Sequence, residues 1–415
     1  MSVAGRTAVP NPPEPSLYDR TFWWAYVANL LLVAANALTF RFAEFVNFLG
    51  GNETATGAIV RAGVIGSLLV RFTLASDIDR LGVRRMWISS SALFVVGSLL
   101  LVTANAINAQ LYLARTAFAI GLAAMFTCSN VQILNRVAAH RRTEMLASLG
   151  SSGFLGMILG AQLGDLVFAI LPRDRTLFLA LFGLTGLFGF IYLLIVIGIT
   201  RHDGQVHVHD APSPWTLLRR HWPGPVTLVA FMMGLGFVVT TVFLTRQATA
   251  LGLVGVRTYF TSYALSAFFF RVLTRTWSRT LGRHGMICVG LIGHTLGYLL
   301  LVGVGNESDF ILPALSGGFA HALLFPCVVS LGAESFPERS RGTGTTLILG
   351  FMDLGAALGA QPLGWVIDHY GFTPMYLVTA ALCVSTLLVY ALQMRHAPDA
   401  DRDHANRDQG DRSPP

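Results

Sequence analysis

A few charged side chains lie inside long apolar stretches of this 415-residue sequence. Arg71, Arg115 and Arg271 each interrupt such a stretch, and Asp353 is the clear carboxylate in the same setting. A guanidinium group held away from water needs a carboxylate, an anionic ligand or backbone carbonyl groups as its partner. A buried carboxylate can also gain and lose a proton. Together these residue types indicate ion pairing, anion binding and proton coupling.

Uncharged polar residues also occur in apolar stretches. Asn29 and Asn36 are seven residues apart and would share one helix face. That face would either contact a polar substrate or hydrogen-bond to a neighbouring helix. His321 is either a coupling residue in a cavity wall or an ordinary packing residue. Gln162 and Gln361 fall in the related segments GAQLG and GAQPLG, which predicts matching roles at a cavity or an interface.

The composition explains why these side chains stand out. Hydrophobic residues make up 53% of the chain and charged residues only 12%, with a mean hydropathy of +0.59. Soluble domains carry about 25% charged residues, so the composition excludes a soluble monomeric domain. Because the apolar stretches recur along the whole chain, it favours an integral membrane protein.

The lengths of the apolar stretches predict the fold class. A hydrocarbon layer of about 30 Å requires about 20 apolar residues per helix. The sequence therefore predicts an all-α protein with twelve transmembrane helices. They are expected near 22–46, 57–76, 86–104, 109–134, 145–170, 176–200, 223–247, 257–276, 285–304, 310–333, 342–367 and 373–394.

Arginines between the helices predict the orientation, since positive charge favours the cytoplasmic side. Most of them fall on the side shared with both termini, so the N- and C-termini are expected in the cytoplasm. The predicted organisation is an N-terminal segment (1–21), a first half (22–200), a cytoplasmic linker (201–222), a second half (223–395) and a disordered tail (396–415).

The two halves resemble each other when the chain is shifted by 200 residues. Arg71 then meets Arg271, and Leu81-Gly82 meets Leu281-Gly282. Matches at corresponding places in the helix order predict two six-helix halves that form a parallel repeat, a common build of transporters.

Motifs in the first half add a family resemblance. The segment DRLGVRR, with Asp79, Arg80, Gly82, Arg84 and Arg85, resembles the signature loop of the major facilitator superfamily. LYLARTAFAIGLAA in helix four is similar to the superfamily pattern around an intramembrane arginine. FPERSRGTGTTLILGFMDLGAALGAQPLGWVID resembles the bacterial efflux-type branch that includes arabinose and drug exporters.

The resemblance implies alternating access in the inner membrane of a bacterium. It also implies that the signature loop residues form a cytosolic gate with the start of helix eleven, near 341–344. Positive-inside topology anchors are the alternative interpretation of the same charges. Arg115 would face the central cavity, either donating hydrogen bonds to backbone carbonyl groups or tuning an acid or binding an anion. Helix nine lies outside the cavity in this superfamily, so the resemblance implies that His294 is a structural residue.

Helices two and eleven are neighbours across the two halves in this superfamily, which implies a partner for Arg71. Arg71 lies about 12 Å deeper than Asp79, and Asp353 lies about 13–15 Å into helix eleven. We therefore expect an Arg71–Asp353 pair. It would be either a lock that proton binding to Asp353 releases or a permanent structural salt bridge.

A second expected pair is an outer gate between Glu44 and Arg246. Aligning RFAEFVNFLG with FLTRQATALG matches these residues at the outer ends of helices one and seven, which face each other in the superfamily. The alternative is two unrelated charges at the membrane interface.

Arg271 has Gly153 at the repeat-related position of its expected partner. It therefore either attracts an anion or extends to the cytosolic surface. The excess of buried arginine predicts an anionic or polar neutral solute.

No enzyme motif occurs in the sequence: a P-loop, HExxH, GxSxG and a CxxC pair are all missing. No cofactor or metal is expected, and the HVHD segment is interpreted as a solvated linker. The prediction is a secondary active transporter that exports a small solute with proton coupling. The alternatives are an importer or a transport-inactive sensor or assembly protein. The expected partners are the solute, protons and the lipid bilayer, with no nucleic acid, and the chain is expected to be monomeric.

Overall fold

The computed structural model describes residues 19–134, 142–201, 213–274, 277–337 and 340–395, which are helical apart from short connections. These residues form twelve long helices, labelled here in chain order: α1 Arg20–Phe48, α2 Glu53–Leu81, α3 Val83–Thr103, α4 Ala109–Leu134, α5 Arg142–Ile170, α6 Arg175–Ile199, α7 Val226–Ala250, α8 Arg257–Leu273, α9 Gly282–Val302, α10 Ile311–Glu334, α11 Arg341–Tyr370 and α12 Phe372–Arg395.

Eleven helices in the described part of the chain are long and apolar enough to cross a membrane. The remaining predicted span is present as α8, whose 17 residues extend about 25 Å at the rise of an α-helix. The predicted fold class, an all-α protein with twelve membrane helices, is confirmed, and the chain is a multi-pass membrane protein.

Several helices extend beyond their apolar stretches. The second apolar stretch was predicted at 57–76, whereas α2 runs from Glu53 to Leu81. Polar residues at a helix end can remain helical because water or neighbouring groups satisfy the end of the backbone. Part of the predicted linker is also helical, since Pro214–Arg220 forms a short helix that packs Leu217 and Leu218 near α11.

Corresponding turns support the predicted repeat. Gly82 between α2 and α3 has a φ of 83°, and Gly282 at the start of α9 has a φ of 71°. Few residues other than glycine adopt such angles easily. The same backbone requirement therefore recurs 200 residues later.

The halves meet through two repeat-related helix pairs, α2 with α11 and α5 with α8. We call the end of the bundle where α1 ends and α2 begins the distal end, and the opposite end the termini end. At the distal end a Cβ atom on Gly57 would overlap the carbonyl group of Ala360, and one on Gly364 would overlap that of Glu53. The backbones of α2 and α11 are therefore in direct contact there, as small residues permit in membrane helices.

Candidate functional site

Arg71 and Asp353 form an ion pair between the two halves. The Arg71 Nε atom lies 2.5 Å from the Asp353 Oδ2 atom, and the side chains are 11% and 24% exposed. The expected pairing of these residues is therefore present in the structure. The Arg71 Nη1 atom is buried and has no hydrogen-bond acceptor within the described residues.

The ion pair forms part of the wall of a cavity of about 260 Å³. The remaining wall comes from α7, α8, α9, α10 and α11, so the cavity lies mainly within the C-terminal half. Its lining is mostly aromatic and apolar, with polar groups from His294, His321 and Thr240. Apolar walls with a few convergent polar groups are typical of small-molecule sites.

His321 occupies an aromatic part of this wall. Its ring stacks on Phe325 at a centroid distance of 5.3 Å and lies 5.9 Å from Tyr263 and 6.3 Å from Phe154. His321 therefore lies in a cavity wall, and its coupling role stays a prediction.

Arg271 contacts two of the same rings and is not itself among the residues that line the cavity. Its guanidinium carbon lies 5.2 Å from the ring centre of Phe154 and 6.0 Å from that of Phe325. The Arg271 Nε atom is buried and has no partner within the described part of the chain. A Cβ atom on Gly150 would lie 3.7 Å from the Arg271 Nη1 atom. Arg271 therefore faces α5 one helical turn from Gly153, the position that the repeat predicted.

His294 also lines the cavity, which corrects its sequence interpretation as a structural residue outside it. The Nε2 atom of His294 lies 2.9 Å from the Tyr298 hydroxyl, and its Nδ1 atom is buried without a partner in the described residues. The interpretation was wrong because it placed the whole of α9 outside the cavity. The spacing of His294 and Tyr298 by four residues would have indicated a shared polar face.

Arg115 does not line this cavity, in contrast to expectation. Its guanidinium carbon lies 4.7 Å from the ring centre of Phe42 and 5.1 Å from that of Phe118. Phe42 belongs to α1 and Phe118 to α4, the helix of Arg115, so the guanidinium group lies against these two helices. Its Nη1 atom has no hydrogen-bond partner among the described residues, and cation–π attraction compensates part of its desolvation.

The two asparagines of α1 have different surroundings. The Asn29 Nδ2 atom donates to the Ser152 hydroxyl at 2.8 Å and to the Leu149 carbonyl at 3.4 Å. Asn29 therefore joins α1 to α5 and is absent from the cavity wall. Asn36 is half-buried and is likewise outside this wall, because the cavity lies in the other half of the molecule.

Gln162 and Gln361 hold the two interfaces between the halves. Gln162 donates to Thr261 at 3.2 Å across α5 and α8, and Gln361 accepts from Arg61 at 2.8 Å across α11 and α2. Their partners at 61 and 261 are 200 residues apart. The predicted matching role is therefore a role at the interface, and neither glutamine lines the cavity.

The prediction of a Glu44–Arg246 pair is wrong, because each residue has another partner. The Glu44 Oε1 atom pairs with Arg41 at 2.9 Å, and its Oε2 atom accepts from the Thr245 hydroxyl at 2.9 Å. Arg246 instead pairs with Glu53 at 2.6 Å. Neighbouring residues on a helix point about 100° apart, so Thr245 faces Glu44 while Arg246 is directed at α2.

Two aspartates that sequence reasoning missed connect the halves at the distal end. Asp368 of α11 accepts from the backbone N–H groups of Glu53 and Thr54 at 3.0 and 2.7 Å. Asp165 of α5 accepts from the backbone N–H of Arg257 at 2.7 Å and also pairs with Arg41. Each carboxylate thus stabilises the N-terminus of a helix in the other half, where the helix dipole favours negative charge. An aspartate shortly after each GAQ segment was the available signal.

The signature loop lies at the termini end. Gly82 is buried in its turn, and Arg84 and Arg85 are exposed at the start of α3. The side chains of Asp79 and Arg80 lie outside the described part of the structure, so the predicted cytosolic gate stays a prediction.

The model of the Major Facilitator Superfamily matches residues 22–360 and 248–413 of this chain. Among curated proteins no sequence match was found.

Solved structures have a similar fold at low sequence identity. The nucleoside transporter NupG has a TM-score of 0.72 and 11% identity, covering 91% of this chain and 100% of its own. A D-xylose-proton symporter has a TM-score of 0.73 and 15% identity, covering 89% and 96%. The human organic anion transporter MFSD10 (TETRAN) has a TM-score of 0.64 and 17% identity, covering 91% and 100%.

Proposed function

Because the chain belongs to the major facilitator superfamily, we propose that it is a secondary active transporter that moves a small solute across the membrane by alternating access. We further propose that transport is coupled to protons and that its direction is efflux. The observation that carries the proposal is the Arg71–Asp353 pair, which joins the two halves and also forms part of the cavity wall.

The pair provides a physical route from proton binding to movement. A proton on Asp353 removes its negative charge and with it the attraction to Arg71. The contact between α2 and α11 is then weaker beside the cavity, which favours separation of the halves at the termini end. A ligand in the cavity acts on the same equilibrium, because it touches the pair and binds differently to the two arrangements.

The distal end supplies the opposing closure in this proposal. Asp165, Asp368 and the Arg246–Glu53 pair hold the halves together there. We propose that the distal end faces outside, with both termini in the cytoplasm of a bacterium. The gate of Asp79, Arg80, Gly82, Arg84 and Arg85 then acts at the inner surface, together with the start of α11.

Transport in proteoliposomes tests this function. Solutes that stabilise the purified protein are first found by thermal shift among sugars, amino acids, anions and cationic drugs. We expect a pH gradient to drive accumulation of such a solute against its own gradient. Flux that does not respond to a pH gradient would refute proton coupling, and no flux of any stabilising solute would refute the transporter.

Import is the second candidate, because Arg71 can pair with Asp353 and donate a hydrogen bond to a ligand at the same time. Arg71 pairs through Nε, while its Nη1 atom has no acceptor among the described residues. An anionic solute that uses this free donor would bind best when Asp353 is protonated. Solute and proton would then move in the same direction, as the name of the D-xylose-proton symporter says of that protein. The direction of flux under opposite pH gradients decides between the candidates.

A further inference from the structure

We propose that the cavity in the C-terminal half binds a small organic monoanion, with its charged group among Arg71, His294 and His321 and its apolar body against the aromatic wall. The inference rests on the proposed transport across the membrane and not on its direction, since it names the class of solute that the transporter would carry.

The charges around the cavity favour a negative ligand. Among the described lining residues Asp353 is the one carboxylate, and Arg71 already pairs with it. Arg271 lies against the rings of Phe154 and Phe325, with no carboxylate partner in the described part of the chain. The surroundings therefore carry one uncompensated positive charge in an apolar setting, where an anion gains and a cation loses electrostatic energy.

Hydrogen-bonding groups without partners lead to the same conclusion. The Nη1 atom of Arg71, the Nε atom of Arg271 and the Nδ1 atom of His294 are buried without a partner in the residues described. The two arginine atoms are donors in every protonation state, and His294 donates in one of its tautomers. Buried donors without acceptors are unfavourable, and a carboxylate or sulfonate oxygen would satisfy those that it reaches.

The remaining wall defines the rest of the ligand. Tyr259, Tyr263, Phe237 and Phe325 provide aromatic surface, which suits a planar apolar group. The volume of about 260 Å³ is below the range of roughly 300–1,000 Å³ for pockets that hold drug-sized ligands. A single aromatic ring that carries one acidic group fits this description.

A local irregularity of α7 borders the same cavity. Residues Val239–Phe243 form a π-helical turn, and Thr240 within it lines the cavity. Such widened turns often occur at functional sites. This backbone feature does not depend on the charges and lies at the same cavity.

Binding of ligands that share a shape and differ in charge tests the inference. The probes are benzenesulfonate and benzoate as anions, benzenesulfonamide as the neutral analogue, and phenyltrimethylammonium as the cation. Calorimetric titration of the purified full-length protein should show saturable binding of the anions and weaker or no binding of the other two. Tighter binding of the cation, or no binding of either anion, would overturn the inference.

Variants locate the binding site. Arg271→Gln should weaken benzenesulfonate binding about tenfold, roughly 1.4 kcal/mol, because it removes the uncompensated positive charge beside the cavity without removing a lining residue. Arg271→Lys keeps the charge and should retain most of the affinity, and it serves as the test if the glutamine variant does not fold. Arg283→Gln at the start of α9, in a partly exposed ion pair with Glu334, is the matched control. Equal affinities in Arg271→Gln and Arg283→Gln would place the anion elsewhere and overturn the inference.

Flux measurements separate the two proposals. Benzenesulfonate remains ionised and crosses lipid poorly, so its pH-dependent flux in proteoliposomes reports on the protein. Binding of the anions together with no flux of any stabilising solute would refute the proposed transport function and leave the anion site. Flux of another solute, without binding of the anions, would refute the anion site and leave the transporter.

Discussion

At the scale of single residues, the Arg71–Asp353 pair is the contact with the largest expected effect. Removing one partner of a fully buried ion pair costs about 3–5 kcal/mol. With exposures of 11% and 24% beside a cavity, Arg71 and Asp353 retain some access to water. We expect Asp353→Asn to fold, to keep solute exchange and to lose accumulation driven by a pH gradient. Counterflow and pH-driven uptake in the same proteoliposomes measure the two activities.

The control for this variant is Glu334→Gln, which removes the partner of Arg283 in a more exposed pair. Exposed pairs contribute about 0–1 kcal/mol, so both activities should persist. If Asp353→Asn still accumulates solute on a pH gradient, Asp353 is not the coupling residue. If it does not fold while the double variant Arg71→Gln/Asp353→Asn does, the pair is structural.

A second prediction concerns the corrected partner of Arg246. Glu53→Gln and Arg246→Gln should be non-additive in their effects on thermal stability, because each already breaks their common ion pair. Glu44→Gln and Arg246→Gln should be closer to additive, because Glu44 bonds to Arg41 and Thr245. A coupling between Glu44 and Arg246 as large as that between Glu53 and Arg246 would contradict this assignment.

These two pairs show what the sequence could predict about single residues. The Arg71–Asp353 contact followed from helical rise and from the implied neighbourhood of two helices, since both charges needed a partner at similar depth. The Glu44–Arg246 contact failed because depth alone does not give the direction of a side chain around the helix. Consecutive residues on a helix point about 100° apart. Thr245 therefore contacts Glu44, whereas Arg246 contacts Glu53.

At the scale of helices, the approach of α2 to α11 at the distal end depends on Gly57 and Gly364. Gly57→Val should prevent this approach because the side chain would overlap the carbonyl group of Ala360. We expect the variant to favour an open distal end. A cysteine at Gln361 should then react several-fold faster with a polar maleimide, in a chain whose native cysteines are replaced by alanine.

The matched control is Gly183→Val in α6, where a Cβ atom would meet no other atom within 4 Å. It adds the same side chain to a membrane helix without altering a helix contact. Equal labelling rates in the two variants would show that α2 and α11 do not separate at this end.

The helices themselves were largely predictable, because a bilayer requires long apolar segments and the chain contains them. Details within a helix were not. The π-helical turn of α7 leaves no recognisable pattern in the segment FVVTTVF, whose residues fit an ordinary α-helix equally well. The position of the cavity within the C-terminal half was also missed, since apolar composition does not distinguish a cavity wall from a packed helix face.

At the scale of the whole molecule, the two halves use related contacts for different purposes. Gln162–Thr261 and Gln361–Arg61 are equivalent interface contacts, and Asp165 and Asp368 cap equivalent helices. The symmetry is broken at the Arg71–Asp353 pair, whose counterpart places Arg271 against glycine. The contacts that recur in both halves at the distal end suit closure of that end by the two halves together. Arg271, which has no equivalent of Asp353 opposite it, suits a ligand site in one half.

Rocking of the halves gives the prediction at this scale. The Thr54 hydroxyl lies 2.5 Å from the Asp368 carboxylate across the interface between the halves. Thr54→Cys with Asp368→Cys, joined by a short bifunctional maleimide, should hold the distal end closed and abolish transport. The control pair Arg283→Cys with Glu334→Cys joins α9 to α10 within one half and should leave transport intact. Because alternating access moves one half against the other, crosslinks of equal length should have opposite outcomes. Continued transport in the Thr54–Asp368 crosslinked protein would contradict alternating access by rocking of these halves.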